Sequence, residues 1–219
     1  MTDYQIDLVR FLKTADGSRD IAIKDVNGSV VGTLVFLNEK SANDQVLLSA
    51  LTLWRRKFKE HFLTQFEPTV ERTERWLKNV VLKDDTRIFF LIFDHSGKAI
   101  GHFGACNIVE HQAELDNVLR GEWSDDPRFM SYAVMAGLDW LYGELGVARI
   151  ILHVFSNNEK AIGLYKRMGF SAIQQFALSR TQEGEDVRYL VGAGKGEPVG
   201  FAYLQMALER SCFVAARGL

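Results

Sequence analysis

Cysteine is scarce in this 219-residue chain: Cys106 and Cys212 are far apart, so no disulfide framework is implied and a reducing compartment fits. No run approaches the roughly 18 apolar residues that would mark a spanning helix, so no membrane segment is expected. The opening MTDYQIDLVRFLKT has no basic start followed by an apolar stretch, which argues against a signal peptide; a cytoplasmic location is expected. A marked excess of charge of one sign is missing too. A net charge of −2 and a pI near 6.2 provide no field toward nucleic acid or anionic lipid, and no basic stripe interleaves with aromatics. The histidines lack a ligand spacing such as His-x-x-x-His and the cysteines are isolated, so no metal is expected. Repeats, low-complexity tracts and interdomain linkers are absent, so residues 1–219 are expected to form a single domain.

What is present is an ordinary globular composition, 47% hydrophobic, which at this length suffices for one sizeable core. Fifteen phenylalanines and four tryptophans point to aromatic packing or an aromatic-lined pocket. Asp20–Val26 and Ser29–Leu37 are β-rich and joined at Asn27-Gly28, a dipeptide that favours a type I′ hairpin because both residues tolerate positive φ. Residues before Asp20 are either a loose leader or an extra strand, so 1–40 is expected as an N-terminal strand region. From Asp44 to Phe62, apolar residues recur at three and four, with a basic end at Arg55-Arg56-Lys57. Thr69 caps a second helix with Val70, Trp76, Leu77 and Val81 inward, making 44–83 a helical pair.

Arg87–Asp94 is a near-continuous apolar run, a strand buried on both faces, and Ala99–Ala105 returns beside it. Residues Glu114–Arg120 make a further strand. Met130 to Leu145 then form a long amphipathic helix, entered through the loop 121–129. A loop that feeds a helix N-terminus is a ready anion site, because free N–H groups and the helix dipole both point outward. Beyond it, Ala172–Ser179, Asp186–Val191 and Phe201–Leu208 are strand-like, with a turn at 181–185 and a glycine-rich loop at 192–196. The tail past Arg210 has no assignable pattern.

The stretch that organises the rest is Val147–Phe170. Ile150–Phe155 is a β-branched strand, Asn157 or Asn158 caps a helix, and Ala161, Leu164, Tyr165 and Met168 share its apolar face. Gly169 ends the helix and Phe170 opens another apolar stretch. The residues alone describe a βαβ unit, in which Tyr165 is either a core aromatic or a phenol standing in a site.

The pattern Asn158-x-x-Ala161-x-x-x-Tyr165-x-x-x-Gly169-Phe170 resembles the motif of the acyl-CoA-dependent N-acetyltransferase superfamily known as GNAT. The resemblance implies an α/β fold of the α+β mixed-sheet kind, a central twisted mixed sheet flanked by helices, here with an extra N-terminal hairpin. It makes 44–83 the substrate side, 87–170 the cofactor-binding core and 171–219 C-terminal strands. It implies acetyl-CoA as cosubstrate, held by backbone groups of Asn117, Val118 and Leu119, by Arg120 and Gly121, by Ser124, Arg128 and Phe129 of the loop, and by Asn158 and Tyr165. Tyr165 is the implied proton donor to the CoA sulfur. The loop departs from the family's basic, glycine-rich form, since Asp125, Asp126 and Pro127 stand where small residues are expected. Carboxylates there repel a diphosphate unless they turn away, as capping of the helix would make them do.

Acetyl transfer also needs a base. Glu114, Asp116, His102 and His111 are the candidates, with Glu114 and Asp116 on one face if their stretch is a strand. His153, mid-strand, is expected to be a satisfied core histidine. Trp54-Arg55 is similar to a pair in enzymes that acetylate amino sugars carried on a nucleotide. Trp54, Arg55 and His102 are therefore expected at the acceptor, with Arg55 meeting a diphosphate through its planar fork. The expected acceptor is a small-molecule amine, in that resemblance a sugar nucleotide of surface-polysaccharide synthesis. A protein N-terminal acetyltransferase and a non-catalytic binding module are the alternatives, and monomer and homodimer are both open.

Overall fold

The computed structural model describes residues 1–14, 19–192 and 196–217, so residues 193–195 of the expected glycine-rich loop lie outside the described part. In chain order the elements are α1 (Asp3–Lys13), β1 (Asp20–Lys24), β2 (Val30–Phe36), α2 (Gln45–Lys57), β3 (Thr64–Gln65) and α3 (Val70–Trp76), which continues as a π-helical turn over Leu77–Val81. There follow β4 (Ile88–Asp94), β5 (Ala99–Cys106), β6 (Gln112–Arg120), α4 (Phe129–Gly143), β7 (Arg149–Phe155), α5 (Glu159–Arg167) and β8 (Ser171–Phe176). The chain closes with β9 (Leu178–Glu183), β10 (Asp186–Val191), β11 (Glu197–Pro198), β12 (Tyr203–Glu209) and α6 (Arg210–Arg217).

Among the described residues, eight strands form one mixed sheet in the order β1-β2-β4-β5-β6-β7-β12-β8, in which only β6 and β7 run parallel. Strand alternation divides its side chains between two cores. Ile88, Phe90 and Ile92 point to the face covered by α1 and α4, with Val9, Leu12, Leu138 and Leu141. Phe89 and Leu91 point to the face covered by α2 and α3, with Leu48, Leu51, Trp54, Leu77 and Val81. The central β4 is buried on both faces through Ile92, as its apolar run predicts. Among the described residues no helix is long and apolar enough to cross a membrane, and Cys106 and Cys212 are both free thiols.

Four expectations change. The segment before β1 is a helix, begun by a capping box in which the Thr2 hydroxyl accepts from Gln5 N–H and the Gln5 side chain accepts from Thr2 N–H. The β1–β2 connection is not type I′. Asp25 Oδ1 accepts from the N–H groups of Asn27 and Ser29, and Gly28 alone takes positive φ, at +81°. The stretch 172–179 is not one strand: the chain leaves the main sheet at Ala177 and starts a second, four-stranded sheet ordered β11-β9-β10-β3, with the turn at Gly184-Glu185. The C-terminal tail is helix α6 rather than strand.

Candidate functional site

The site begins where two strands part. β6 and β7 pair in parallel from Gln112↔Arg149 to Leu115↔Leu152 and no further. Opposite, β6 slips against β5 between His102 and Gly104, and Asn117 sits in the left-handed region at φ +52°, a bulge made by one extra residue. The bend carries Asp116–Arg120 away from His153 and Val154, opening a cleft floored by both strands and flanked by α5. Asn158 caps α5, its Oδ1 accepting from Ala161 N–H at 3.2 Å, which fixes Tyr165 two turns on, over the cleft. The cavity encloses about 920 Å³ and extends under α2 and the segment 58–68.

Of the residues expected to hold the cofactor, Asn117, Val118, Leu119, Arg120, Gly121, Asn158 and Tyr165 line this cavity. Ser124, Arg128 and Phe129 do not. Ser124 turns its hydroxyl to the Asp126 carbonyl, Arg128 lies outside in contact with the Asp126 carboxylate, and Phe129 is buried against Gly32. Asp126 Oδ1 accepts from Arg128 N–H at 2.7 Å, and neither Asp125 nor Asp126 lines the cavity. Asp125 and Asp126 are thus turned from the space that an anion would use, whereas Glu122 lines the cavity with Oε1 accepting from Trp54 Nε1.

Glu114, Asp116 and Tyr165, the expected catalytic groups, all face the cavity. Glu114 Oε1 lies 2.7 Å from His153 Nδ1, and its Oε2 accepts from Asn107 Nδ2 at 2.8 Å. Burial alone would raise the Glu114 carboxyl, but those two hydrogen bonds and the nearby charges of His153 and Arg87 hold it below its ordinary range. Asp116 accepts from Arg87 Nη1 at 2.8 Å and from Asn117 Nδ2 at 2.6 Å. The Tyr165 and Tyr203 hydroxyls are pushed up, first by burial and then by nearby acidic groups, so both stay protonated. His111, another candidate base, is exposed and away from the cavity.

At the acceptor end, Arg55 and His102 line the cavity and Trp54 does not. Trp54 is fully buried against Gly121, its Nε1 donating to Glu122 Oε1 at 2.9 Å, so it is a pillar beneath the site rather than a contact surface. His102 stacks between Phe89 (4.8 Å) and Trp54 (6.1 Å), and burial lowers its pKa to about 3, keeping it neutral. The Arg55 guanidinium lies 3.3 Å over the Phe62 ring and 5.3 Å from Phe66, while Arg72 covers Phe66 at 3.9 Å. Burial brings Arg55 down to about 10, which leaves it charged at neutral pH. Arg55 also donates to the Thr64 carbonyl at 2.8 Å, and Thr64 belongs to β3, the strand that ties this segment to β10.

Arg87, His153, Tyr203, Phe62, Phe66 and Arg72 were not singled out as site residues by the sequence. The Phe-rich composition hinted at the aromatic wall. No local spacing marked the others, which meet through sheet register.

Residues 41–187 match the family model described as an acetyltransferase (GNAT) domain. No curated protein matches the chain. Among solved structures, a spermidine N-acetyltransferase from Vibrio cholerae in complex with CoA and spermine superposes with a TM-score of 0.63 at 18% identity, covering 84% of this chain and 98% of that one. FdhC, a nucleotide-linked sugar GNAT, gives 0.63 at 13% identity over 91% and 96% of the two chains. The N-acetyltransferase PseH of Campylobacter jejuni gives 0.53 at 16%, over 82% and 99%. The split strands, the helix that follows them and a family match across more than half its length together establish that this chain belongs to the GNAT acetyltransferase family.

Proposed function

We propose that the protein transfers an acetyl group from acetyl-CoA to the amine of an acceptor that also carries an anion, a nucleotide-linked amino sugar fitting best. The observation that carries the acceptor class is the wall formed by α2, α3 and the segment between them. Every charged side chain that lines the cavity from this wall, Arg55, Lys57 and Arg72, is a cation, and phenyl rings interleave with the two guanidiniums. Such a wall suits a phosphate and a planar base. It repels a polyamine, even though a spermidine acetyltransferase is among the similar structures.

The cleft fits the cosubstrate. Past Leu115 and Leu152 the backbone groups of β6 have no partner in β7, leaving N–H groups to meet the carbonyl oxygen on which negative charge develops. Lys160 and Arg167 on α5, with Arg120 on β6, give the cleft cations for phosphates. Acetyl-CoA supplies the activated acyl group, and the Tyr165 hydroxyl supplies a proton to the departing sulfur.

The test pairs binding with turnover. Acetyl-CoA at a hundredfold excess over its Kd should stabilise the fold by about 2.7 kcal/mol, read as a rise in melting temperature. Thiol release is then followed with a nucleoside-diphosphate-linked amino sugar, spermidine and a peptide N-terminus as acceptors. The sugar nucleotide should be preferred, and Arg72→Ala should raise its KM about tenfold or more. Preference for spermidine or for the peptide, or an unaltered KM in that variant, would overturn the acceptor assignment.

A further inference from the structure

We propose that His153, held by Glu114, is the group that takes the proton from the acceptor ammonium, an inference that rests on the acetyltransferase function above. His153 is the first residue of β7 beyond its last pairing with β6, so its side chain stands at the point where the cleft opens. Glu114 pairs with Ile151, two residues before His153, and alternation puts all three side chains on one face. The Nδ1–Oε1 separation of 2.7 Å lies in the range of a charge-assisted hydrogen bond. A carboxylate at Nδ1 selects the tautomer that carries its proton there, which frees the Nε2 lone pair. Stacking on Tyr203 (5.1 Å, 17° between planes) and the tilted Phe176 ring (6.1 Å) fix the plane of the imidazole.

The other candidate bases are occupied or remote. Both oxygens of Glu114 are bonded, to His153 and Asn107, and the hydrogen bonds lower its affinity for a proton. Asp116 is ion-paired to Arg87, its Oδ2 accepting from both Arg87 and Asn117. His102 stays neutral only because burial has made it a very weak base, and His111 is outside the cavity. The charged and titratable groups around the pair are Glu114 and Asp116 from β6, Arg87 before β4, Cys106 from β5, Tyr165 from α5 and Tyr203 from β12. Burial pushes the Cys106 thiol to about 12, and both phenols are raised, so at neutral pH none of the three adds a charge.

The proton balance closes. The acceptor nitrogen loses two protons on becoming an amide. One passes to His153 Nε2 and on to solvent. The freed lone pair forms the N–C bond as the C–S bond breaks. Tyr165 protonates the leaving thiolate, and the second nitrogen proton restores the phenol. Glu114 touches no reacting atom in this scheme and is a positioning residue.

The experiment is a pH–rate profile of the full chain with acetyl-CoA and a nucleoside-diphosphate-linked amino sugar, for wild type, His153→Gln and Glu114→Gln. His153→Gln should lower kcat/KM at pH 7 by about 10²-fold or more and abolish the acid limb, with the KM for acetyl-CoA unchanged. Glu114→Gln keeps the imidazole but loses the carboxylate that orients it, so kcat should fall about tenfold or more while the KM of both substrates stays near wild type. A purely structural role for the pair would disturb KM and melting temperature together with the rate. A wild-type rate and acid limb in His153→Gln, or an unchanged kcat in a folded Glu114→Gln, would overturn the proposal. A wild type that transfers acetyl to none of the acceptors would remove the function itself and this proposal with it.

Discussion

Substituting Gly121 by Ala tests whether the glycine of the loop is there for a ligand or for a tryptophan. A Cβ built on Gly121 would land within the Trp54 indole, inside van der Waals contact of Cδ2, Cε2 and Cγ. Neither side has room to give. Gly121 N–H and Glu122 N–H both donate to the Ile100 carbonyl at 2.9 Å, which pins the loop backbone to the end of β5. Trp54 is 1% exposed, tied through Nε1 to Glu122 and backed by the His102 ring. Overpacking of a filled core costs about 1–3 kcal/mol, and the double pinning puts this case toward the top of that range.

For a chain of this size each kcal/mol moves the melting temperature by about 2–4 °C, so Gly121→Ala should melt roughly 4–12 °C below wild type. Thermal denaturation followed by circular dichroism reads this directly. Trp54→Phe opens space where the new methyl would go. The double variant should therefore be more stable than the sum of the single changes predicts, by about 1 kcal/mol, since contacting sites couple at about 0.5–3 kcal/mol. A melting temperature unchanged in Gly121→Ala would mean that the indole moves freely, and the pillar role of Trp54 would fall.

Two further outcomes follow from the buried titratable groups. Tyr165→Phe removes only a hydroxyl and leaves the ring on Phe170, so turnover should fall about 10²-fold while acetyl-CoA binding by calorimetry stays nearly intact; undiminished turnover would take Tyr165 out of the mechanism. His102 has a folded pKa of about 3 against an ordinary 6.5, so the unfolded chain binds a proton that the folded one refuses. Its stabilising contribution is complete above pH 6.5 and is lost as pH falls toward 3. Urea unfolding of wild type and His102→Gln should show wild type losing roughly 1–3 kcal/mol more between pH 7 and pH 4, and parallel pH dependences would refute the buried neutral ring.

Local signals were read well from the sequence. Asn158, Tyr165 and Gly169 are linked by helical spacing inside one unit, and α5 forms where that spacing places it. Thr69 caps α3 as its position suggests, and Asp44, where the helical pattern starts, caps α2. The missed helix α1 had a signal too: Thr2 and Gln5 are a capping-box pair, and Val9 and Leu12 supply the buried face. The division of 171–183 between two sheets had none, because β8 is exposed along its length and carries little alternation. Nor could Thr64-Gln65 be found, since a two-residue strand exists only by virtue of its partner, here Val187-Arg188.

The site was harder to read for the same physical reason: its charges are sorted by register rather than by neighbours in sequence. Glu114 meets His153 across the β6–β7 pair and Asp116 meets Arg87 from the start of β4, so two carboxylates come to the cleft floor already hydrogen-bonded. The wall from α2 and α3 contributes only cations. Apart from Glu122 on the loop and the cations Arg120, Lys160 and Arg167 that line the cosubstrate's cleft, the cavity is therefore graded, with carboxylates at the split strands and positive charge at the aromatic wall. An acceptor with an ammonium at one end and an anion at the other gains at both ends in only one orientation, amine toward the strands. A polyamine finds an attractive pole at one end and a repulsive one at the other. That asymmetry, more than any single contact, is why the acceptor proposed here carries a phosphate, and reversing one pole, as Arg72→Ala begins to do, should weaken the preference before it weakens the chemistry.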